Sequence, residues 1–223
     1  MLMRKFTRTK IRGLWNKAIT TFYGIFTIGL KKGTHLTRFA MYEHLREVMK
    51  PVEKSGLSVL SISGSVELCE YLGFEQRNIR DVHYPEYNIL NLPFDDNSFD
   101  VVISDQVLEH VQGNPEKIFE ESIRVVKPGG LIIHTTCFVN PIHNSPGDFY
   151  RFTPDGLKYL AEQKGIVKDF GGWGYYLMWI FVAMGMRYVR IPYCRFHPYH
   201  WIATVNSKKW PVVTWVCLQK PEQ

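Results

Sequence analysis

Residues 92–136 read LPFDDNSFDVVISDQVLEHVQGNPEKIFEESIRVVKPGGLIIHTT and predict a strand, a helix, a tight turn and a second strand. Residues 99–104 are a short apolar run with β-branched residues, which is typical of a buried parallel strand. Residues 115–126 place apolar and charged side chains at helical spacing. Pro128-Gly129-Gly130 ends that helix, and residues 131–136 form the next buried strand. This order favours an α/β protein with a parallel sheet.

Polar residues gather directly after the first of these strands. Asp105, Gln106, Glu109 and His110 lie at its predicted carboxyl end. Open α/β sheets bind ligands outside the carboxyl ends of their strands. The sequence therefore places a candidate site at this edge of the sheet.

Composition allows one ordinary α/β core, since the chain has 223 residues of which 45% are apolar. Its four cysteines are scattered, which favours a reducing, cytoplasmic compartment. Cys194, His197 and His200 form a tight cluster, but a zinc site needs a fourth ligand and wider spacing. We expect loop residues there and predict no metal.

Charge is unevenly distributed along the chain. The net charge is +6, but residues 1–50 hold 11 lysines and arginines against two acids, so the remainder is mildly acidic. We predict a basic, partly apolar N-terminal extension over residues 1–50 and a catalytic-type domain over residues 51–223. The apolar run 18–30 is shorter than the roughly 20 residues that span a bilayer.

Three readings of the extension stay open at this point. Its apolar face could pack on the domain, it could lie on an anionic membrane surface through residues 1–32, or it could contact RNA phosphates. We rank the nucleic-acid reading last. The predicted location is the cytoplasm. If residues 1–32 lie on an anionic membrane, the protein would be peripherally attached to the inner face of that membrane.

The rest of the chain supplies further elements. We predict strands at 57–62, 78–83, 87–90, 167–170 and 212–219, helices at 37–49, 66–72 and 153–163, a helix-like apolar stretch at 175–190 and a loop at 191–200. A dehydrogenase is disfavoured, since no G-x-G-x-x-G motif follows the first strand.

Four pieces of sequence together carry a family resemblance. LPFDDNSFDVV (92–102), VLEHV (107–111), RVVKPGG (124–130) and the strand that follows resemble the class I S-adenosylmethionine-dependent methyltransferases, in particular the type-11 family. The resemblance covers about residues 57–220. It implies a Rossmann-like, doubly wound, mostly parallel α/β sheet with an antiparallel last strand. The segment VHYPEYNIL (82–90) is similar to a bacterial subgroup associated with surface-polysaccharide synthesis.

The resemblance implies S-adenosyl-L-methionine as cofactor and a set of residues around it. The family's E-x-G-x-G turn is broken here, and only Gly64 survives from it. His83 and Tyr84 would lie nearest the ribose. The implied cofactor residues are Ser61, Ser63, Gly64, Ser65, Asp81, His83, Tyr84, Leu92, Ser104, Asp105 and Gln106.

The same resemblance implies an acceptor site above the cofactor. A small-molecule acceptor, such as a sugar hydroxyl or a related cell-envelope metabolite, would be aligned for methyl transfer. The implied catalytic residues are His143, His110 and Asp148, and the implied substrate residues are Glu109, Tyr150, Arg151 and Trp173. His110 could equally be structural, Asp148 and Arg151 could form a loop-fixing ion pair, and Trp173 could belong to the core. The rival hypothesis is a degenerate, non-catalytic member that acts as a binding or membrane-associated scaffold.

Overall fold

A computed structural model describes Tyr23, residues 27–144 and residues 146–222. The strands are β1 (Lys32–His35), β2 (Val59–Ile62), β3 (Ile79–Val82), β4 (Phe99–Asp105), β5 (Val126–Cys137), β6 (Ile166–Trp173), β7 (Arg190–Pro192) and β8 (Val213–Gln219). The helices are α1 (Phe39–Val48), α2 (Val66–Tyr71), α3 (Pro115–Val125), α4 (Pro154–Glu162), α5 (Tyr176–Phe181) and α6 (Pro198–Thr204). Short 3₁₀ turns lie at Gln76–Asn78 and Leu108–His110, and a π-helical turn lies at Val182–Met186.

Six strands form the central sheet in the order β3-β2-β4-β5-β8-β6. The pairs from β3 to β5 are parallel, whereas β8 runs antiparallel to both β5 and β6. The predicted fold class is therefore confirmed. The strand order reverses between β2 and β4, so the carboxyl ends of these two strands flank a natural crevice for a ligand.

Local sequence signals explain the helices beside the sheet. Asn114 caps α3 by accepting a hydrogen bond from the backbone N–H of Glu116, and Pro115 occupies the first turn. Thr153 caps α4 in the same way through the backbone N–H of Gly156. Both helices begin where the sequence predicts them, because capping depends only on neighbouring residues.

Three predictions of local structure are wrong. The strand predicted at residues 87–90 is a turn, in which the side chain of Asn88 accepts the backbone N–H of Leu90 and a single bridge joins Asn88 to Asn91. The loop predicted at 191–200 contains the end of β7 and the start of α6, which His197 caps through its ring nitrogen. Glu109 and His110, which we expected at the start of the helix after β4, lie instead in a separate 3₁₀ turn at Leu108–His110.

The apolar stretch after β6 is helical only in part. α5 has six residues, and the following π-helical turn includes Gly185 at φ +89°. Within Tyr23, 27–144 and 146–222, no helix has both the length and the apolar character that crossing a bilayer requires.

Residues just before position 50 are integrated into the core. β1 pairs antiparallel with β7, and α1 buries Phe39, Met41, Tyr42 and Leu45. The boundary between extension and domain at residue 50 stays a prediction. The basic segment before Tyr23, on which the membrane and RNA readings depend, lies outside the described residues, as do residues 24–26.

His134 is buried inside the sheet and should make the stability of the protein depend on pH. Its ring bonds Ser104 at 2.7 Å and Ser122 at 3.1 Å, and burial lowers its pKa from 6.5 to about 3. Below pH 6.5 the unfolded chain therefore binds a proton that the folded chain does not. We expect the free energy of unfolding to fall as the pH drops from 6.5 toward 3, by up to about 1.4 kcal/mol per pH unit from this group.

Urea unfolding at several pH values between 7 and 5 measures this effect. The His134→Gln variant removes the titrating group, so its stability should depend less steeply on pH than that of the wild type. An identical pH slope in the two proteins would contradict the assignment.

Candidate active site

Two adjoining cavities open at the carboxyl edge of the sheet, with volumes of about 920 and 360 Å³. Ser63, Gln106 and His110 line both of them, so the cavities form one continuous cleft. The larger cavity is also lined by His83, Tyr84, Tyr87, Ile89, Val107 and Phe149, and the smaller by His35, Arg38, Gly64, Asp105, His143 and Arg187.

The turn after β2 brings bare backbone to the cleft. Ser63 has φ +55° and Gly64 has φ +82°, so two consecutive residues adopt the left-handed conformation. A Cβ built on Gly64 would meet only the His83 ring, at 3.7 Å. The Oγ of Ser65 accepts the backbone N–H of Asp105 at 2.7 Å, which ties this turn to the end of β4. The turn therefore leaves room for a close approach by a ligand.

At the end of β3, Asp81 holds its neighbours instead of lining the cleft. Ser61, its register partner on β2, donates its hydroxyl to Asp81 Oδ1 at 2.6 Å. The Nε2 of His83 lies 2.8 Å from Asp81 Oδ2. Asp81 thus orients His83, which is the side chain that lines the larger cavity.

At the end of β4, the carboxylate of Asp105 joins several segments. Its Oδ2 accepts hydrogen bonds from Arg38 Nε and from the Tyr42 hydroxyl, both at 2.8 Å, and its Oδ1 accepts one from the Thr135 hydroxyl. The terminal nitrogens of Arg38 make no hydrogen bond with described residues, although Arg38 lines the smaller cavity. A ligand carboxylate is the natural partner for such a guanidinium group.

The loop after β5 is fastened to the 3₁₀ turn after β4. The backbone N–H of Phe149 donates to the carbonyl of Glu109 at 2.7 Å, and Nδ1 of His110 bonds the carbonyl of Gly147. Asp148 forms a bidentate ion pair with Arg151 and also accepts the backbone N–H of His143 at 3.0 Å. That pair lowers the pKa of Asp148. In the structure, Asp148 therefore has the loop-fixing contacts.

His143 and His110 meet at the point where the two cavities join. Their ring centroids are 4.8 Å apart, and both rings face the fully buried carboxylate of Glu109. Burial, Arg187 and His110 lower the pKa of His143, so its ring is held neutral. A neutral imidazole beside a cleft can accept a proton or ligate a cation.

Several predicted site residues do not line the cleft. The Ser104 hydroxyl hydrogen-bonds the His134 ring inside the sheet. Leu92 is buried, and its backbone N–H donates to the carboxylate of Glu121. Tyr150 donates to the carbonyl of Gly113, and Trp173 donates to the carbonyl of Ala203. Together with Ser61, Ser65, Asp81, Asp148 and Arg151, these side chains pack around the site or away from it.

Sequence reasoning missed the residues that close the smaller cavity. His35, Arg38 and Tyr42 come from β1 and α1, and Arg187 follows the π-helical turn. Burial and Arg38 lower the pKa of His35 to about 3. The sequence does predict a helix at 37–49, but no motif in that helix indicates that its residues contact a ligand.

Comparisons with known proteins agree with this geometry. Residues 46–134 match the family described as a methyltransferase domain. A ubiquinone/menaquinone biosynthesis C-methyltransferase of Idiomarina loihiensis is 35% identical over 98 residues, which are 38% of this chain and 39% of that protein. The chain thus spans well under half of this curated relative.

Two solved structures share the fold at low sequence identity. An S-adenosylmethionine-dependent methyltransferase from Mesorhizobium loti is 11% identical with a TM-score of 0.53, covering 83% of this chain and 100% of that chain. A possible histamine N-methyltransferase from Thermotoga maritima is 14% identical with a TM-score of 0.50, covering 92% and 98%. The fold is that of the class I S-adenosylmethionine-dependent methyltransferases, and the family match supports that class for the domain. The surface-polysaccharide subgroup stays a prediction.

The ion pair between Arg38 and Asp105 should be important for stability. Replacing Arg38 by Met leaves the Asp105 carboxylate, whose side chain is 9% exposed, without its charged partner, and the cost should approach the roughly 3–5 kcal/mol of a broken buried pair. The matched control is Arg46→Met within α1, the helix that Arg38 precedes, because Arg46 pairs with Glu43 at the surface and its loss should cost less than about 1 kcal/mol. Urea unfolding of both variants measures the difference. Equal losses would show that the Arg38–Asp105 pair has no special role.

Proposed function

We propose that the protein is an S-adenosylmethionine-dependent methyltransferase that methylates a hydroxyl of a small-molecule acceptor. The observation that carries this proposal is the left-handed turn Ser63-Gly64, which opens into the paired cavities between β2 and β4. The match of residues 46–134 to a methyltransferase domain supports the same activity.

The residues of the cleft fit the proposed cofactor. The larger cavity has aromatic and apolar walls suited to an adenosine, with His83 and Tyr84 near its ribose. The smaller cavity offers Arg38 for a carboxylate and the open backbone of Gly64. When bound, the cofactor supplies a methyl group on a sulfonium, which is already reactive toward an oxygen nucleophile.

The chain itself has to align the acceptor and manage its proton. His143 is the proposed residue that orients the acceptor hydroxyl or accepts its proton, with His110 beside it. Asp148 acts through the backbone of His143 and is a positioning residue. The proposal of a sugar or a related cell-envelope metabolite rests on the resemblance of residues 82–90.

Binding of the cofactor can be tested before any acceptor is known. Calorimetric titration with S-adenosylmethionine and S-adenosylhomocysteine should give micromolar binding in the wild type. Gly64→Asp places a charged side chain on left-handed backbone within the cleft and should reduce affinity at least about 100-fold, which is about 2.7 kcal/mol. The matched control is Gly56→Asp, at φ +73° with nothing within 4 Å of the added Cβ, which should bind normally.

Two results would contradict the enzyme proposal. One is absence of binding at millimolar cofactor, and the other is equal binding by the two glycine variants. Absence of binding would favour the scaffold alternative, which the loss of the family's acidic residue at Ser61 already suggests.

We further propose peripheral association with an anionic membrane. Residues 1–32 are strongly basic, and Tyr188, Phe196 and Trp201 are exposed at 74%, 97% and 55% in the segment around α6. Basic residues combined with exposed aromatic residues are typical of proteins that bind at the membrane interface.

Co-sedimentation with vesicles tests this association. The full chain should sediment with phosphatidylglycerol vesicles and stay in solution with phosphatidylcholine vesicles. Phe196→Ser should weaken sedimentation several-fold, whereas Tyr159→Ser, at an exposed aromatic of α4, should leave it unchanged. Equal sedimentation with both lipids would argue against an electrostatic membrane contact.

A further inference from the structure

Three side chains at the junction of the two cavities direct potential metal-ligating atoms at one another. The Oε1 of Glu109 lies 4.0 Å from Nε2 of His110 and 4.0 Å from Nε2 of His143. The three atoms all lie within 4.8 Å of each other. Among the residues that the structure describes, this is the one such group of three histidine, cysteine or acidic side chains. Cys194, His197 and His200 do not form one.

The hydrogen bonds around the cluster bear on which ring nitrogens carry a lone pair. A carbonyl oxygen can only accept, so His110 must donate from Nδ1 to Gly147, and a neutral ring then carries its lone pair on Nε2. The Nδ1 of His143 lies 3.2 Å from the carbonyl of Pro141 and 3.0 Å from Nδ2 of Asn140, so it either donates to the first or accepts from the second. Only the tautomer that donates to Pro141 carries its lone pair on Nε2. The Nε2 lone pair of His110 therefore points toward the Glu109 carboxylate, and that of His143 does so in the tautomer that donates to Pro141.

Glu109 adds a second, independent observation. The side chain is completely buried, and its Oε2 accepts the hydroxyl of Thr136 at 2.7 Å. Its Oε1 has no hydrogen-bond partner among the described residues. A buried carboxylate oxygen without a donor is costly, and native structures rarely leave one unless a proton, a water or a cation satisfies it.

We propose that Glu109, His110 and His143 bind one divalent transition-metal ion at the junction of the two cavities. Two imidazoles and one carboxylate suit ions such as Zn²⁺, Co²⁺ or Fe²⁺ better than Mg²⁺ or Ca²⁺, which prefer oxygen ligands. Three protein ligands leave coordination positions open toward the cleft, as catalytic sites require.

The cluster needs only a small contraction to reach metal-binding distances. Ligands at about 2.1 Å from a tetrahedral ion lie about 3.4 Å apart, so the present spacing must close by about 1 Å. His143 is partly exposed on the loop after β5, so its ring can make this adjustment. Glu109 and His110 lie in one 3₁₀ turn, which the backbone bond from Phe149 holds in place.

The surrounding groups are suited to support the ligands. Bonds from Nδ1 to carbonyl oxygens are the usual way in which ligating histidines are oriented. The nearby cations Arg38 and Arg151 are each paired with an acid, Asp105 and Asp148 respectively. Arg187 is the remaining cation of the smaller cavity, and it donates to Asn140 at 2.7 Å.

A bound ion would give the proposed methyl transfer a way to activate the acceptor. A hydroxyl that contacts the ion loses its proton to water more easily, because the cation lowers its pKa. The oxygen then bonds to the methyl carbon as the bond from that carbon to sulfur breaks. Of the two roles proposed above for His143, the ion-bound site keeps the first, because His143 then orients the acceptor through the ion while water takes the proton. This catalytic role rests on the proposed function, whereas binding of the ion does not.

Cobalt provides a direct test of the site. The full chain is stripped with a chelator and titrated with Co²⁺, followed by visible absorption and by calorimetry. We expect one equivalent to bind, with absorption bands of four- or five-coordinate Co²⁺ that Zn²⁺ abolishes by displacement. His143→Ala should weaken binding more than 100-fold, because loss of supporting residues alone costs about 10- to 100-fold. Glu109→Gln should weaken it as well.

His44→Ala is the matched control. His44 has a similar side-chain exposure to His143, 37% against 31%, but pairs with Asp169 outside the cleft. This variant should bind Co²⁺ as the wild type does. Circular dichroism and urea unfolding show whether each variant is folded. If Glu109→Gln does not fold, His143→Ala still tests the site, because His143 is partly exposed.

Three results would overturn the proposal. They are a wild type without saturable Co²⁺ binding, a His143→Ala variant that binds equally well, and a His44→Ala variant that loses binding to the same extent. Titration of the chelated protein with S-adenosylmethionine separates the two hypotheses. Cofactor binding without any metal binding would retain the methyltransferase proposal and reject the metal site.

Discussion

The site depends on the hydrogen bonds of the Asp105 carboxylate, whose side chain is only 9% exposed. It accepts hydrogen bonds from Arg38, Tyr42 and Thr135, while its own backbone N–H bonds Ser65. A buried charge has to be paired, so these bonds hold α1, the turn after β2, β4 and β5 together at one point. Residues 35–42, which precede the predicted domain boundary at residue 50, therefore form one wall of the cleft. The bond from Nε to Asp105 fixes the Arg38 side chain, so its terminal nitrogens can face a ligand.

Glu109 presents the opposite case a few residues later. Its carboxylate is as deeply buried as any group in the protein, yet only one of its oxygens has a donor. The Nε2 atoms of the two histidines around the other oxygen lie 4.0 Å from it, beyond hydrogen-bond distance. Incomplete satisfaction of this kind is rare in a packed core, and it is expected where a protein binds something. Both oxygens of Asp105 have hydrogen-bond donors, which fits a structural role, whereas Glu109 has one oxygen without a donor, which fits the proposed role as a ligand.

The strand that leads into the turn after β2 is tied by side-chain hydrogen bonding to the neighbouring strand β3. Ser61 stands where the family has an acid, and its hydroxyl bonds Asp81 directly across the β2–β3 pair. Asp81 in turn orients His83 toward the larger cavity. At this edge of the sheet the carboxylate therefore lies at the end of β3, and the His83 side chain that it holds lines the cavity. The left-handed turn at Ser63 and Gly64 keeps the open backbone that the family uses.

The sequence by itself determined the elements whose signals are local. The apolar runs of β4 and β5 and the caps at Asn114 and Thr153 predicted their strands and helices correctly, because propensity and capping act over a few residues. The strand predicted at residues 87–90 is wrong because composition does not reveal whether a segment pairs with another strand, and this one forms only an isolated bridge. Gln106 was predicted from its place after β4, and Ser63 and Gly64 from the family resemblance, and all three line the cleft.

Only the tertiary structure decided how the cleft is completed. Arg38 and Tyr42 lie more than 60 residues from Asp105 along the chain, and no local pattern marks such a contact. The meeting of Glu109, His110 and His143 likewise requires the loop after β5 to fold back onto the turn after β4. Local sequence specifies backbone conformation, whereas the partners of a buried charge are set by the packing of distant segments.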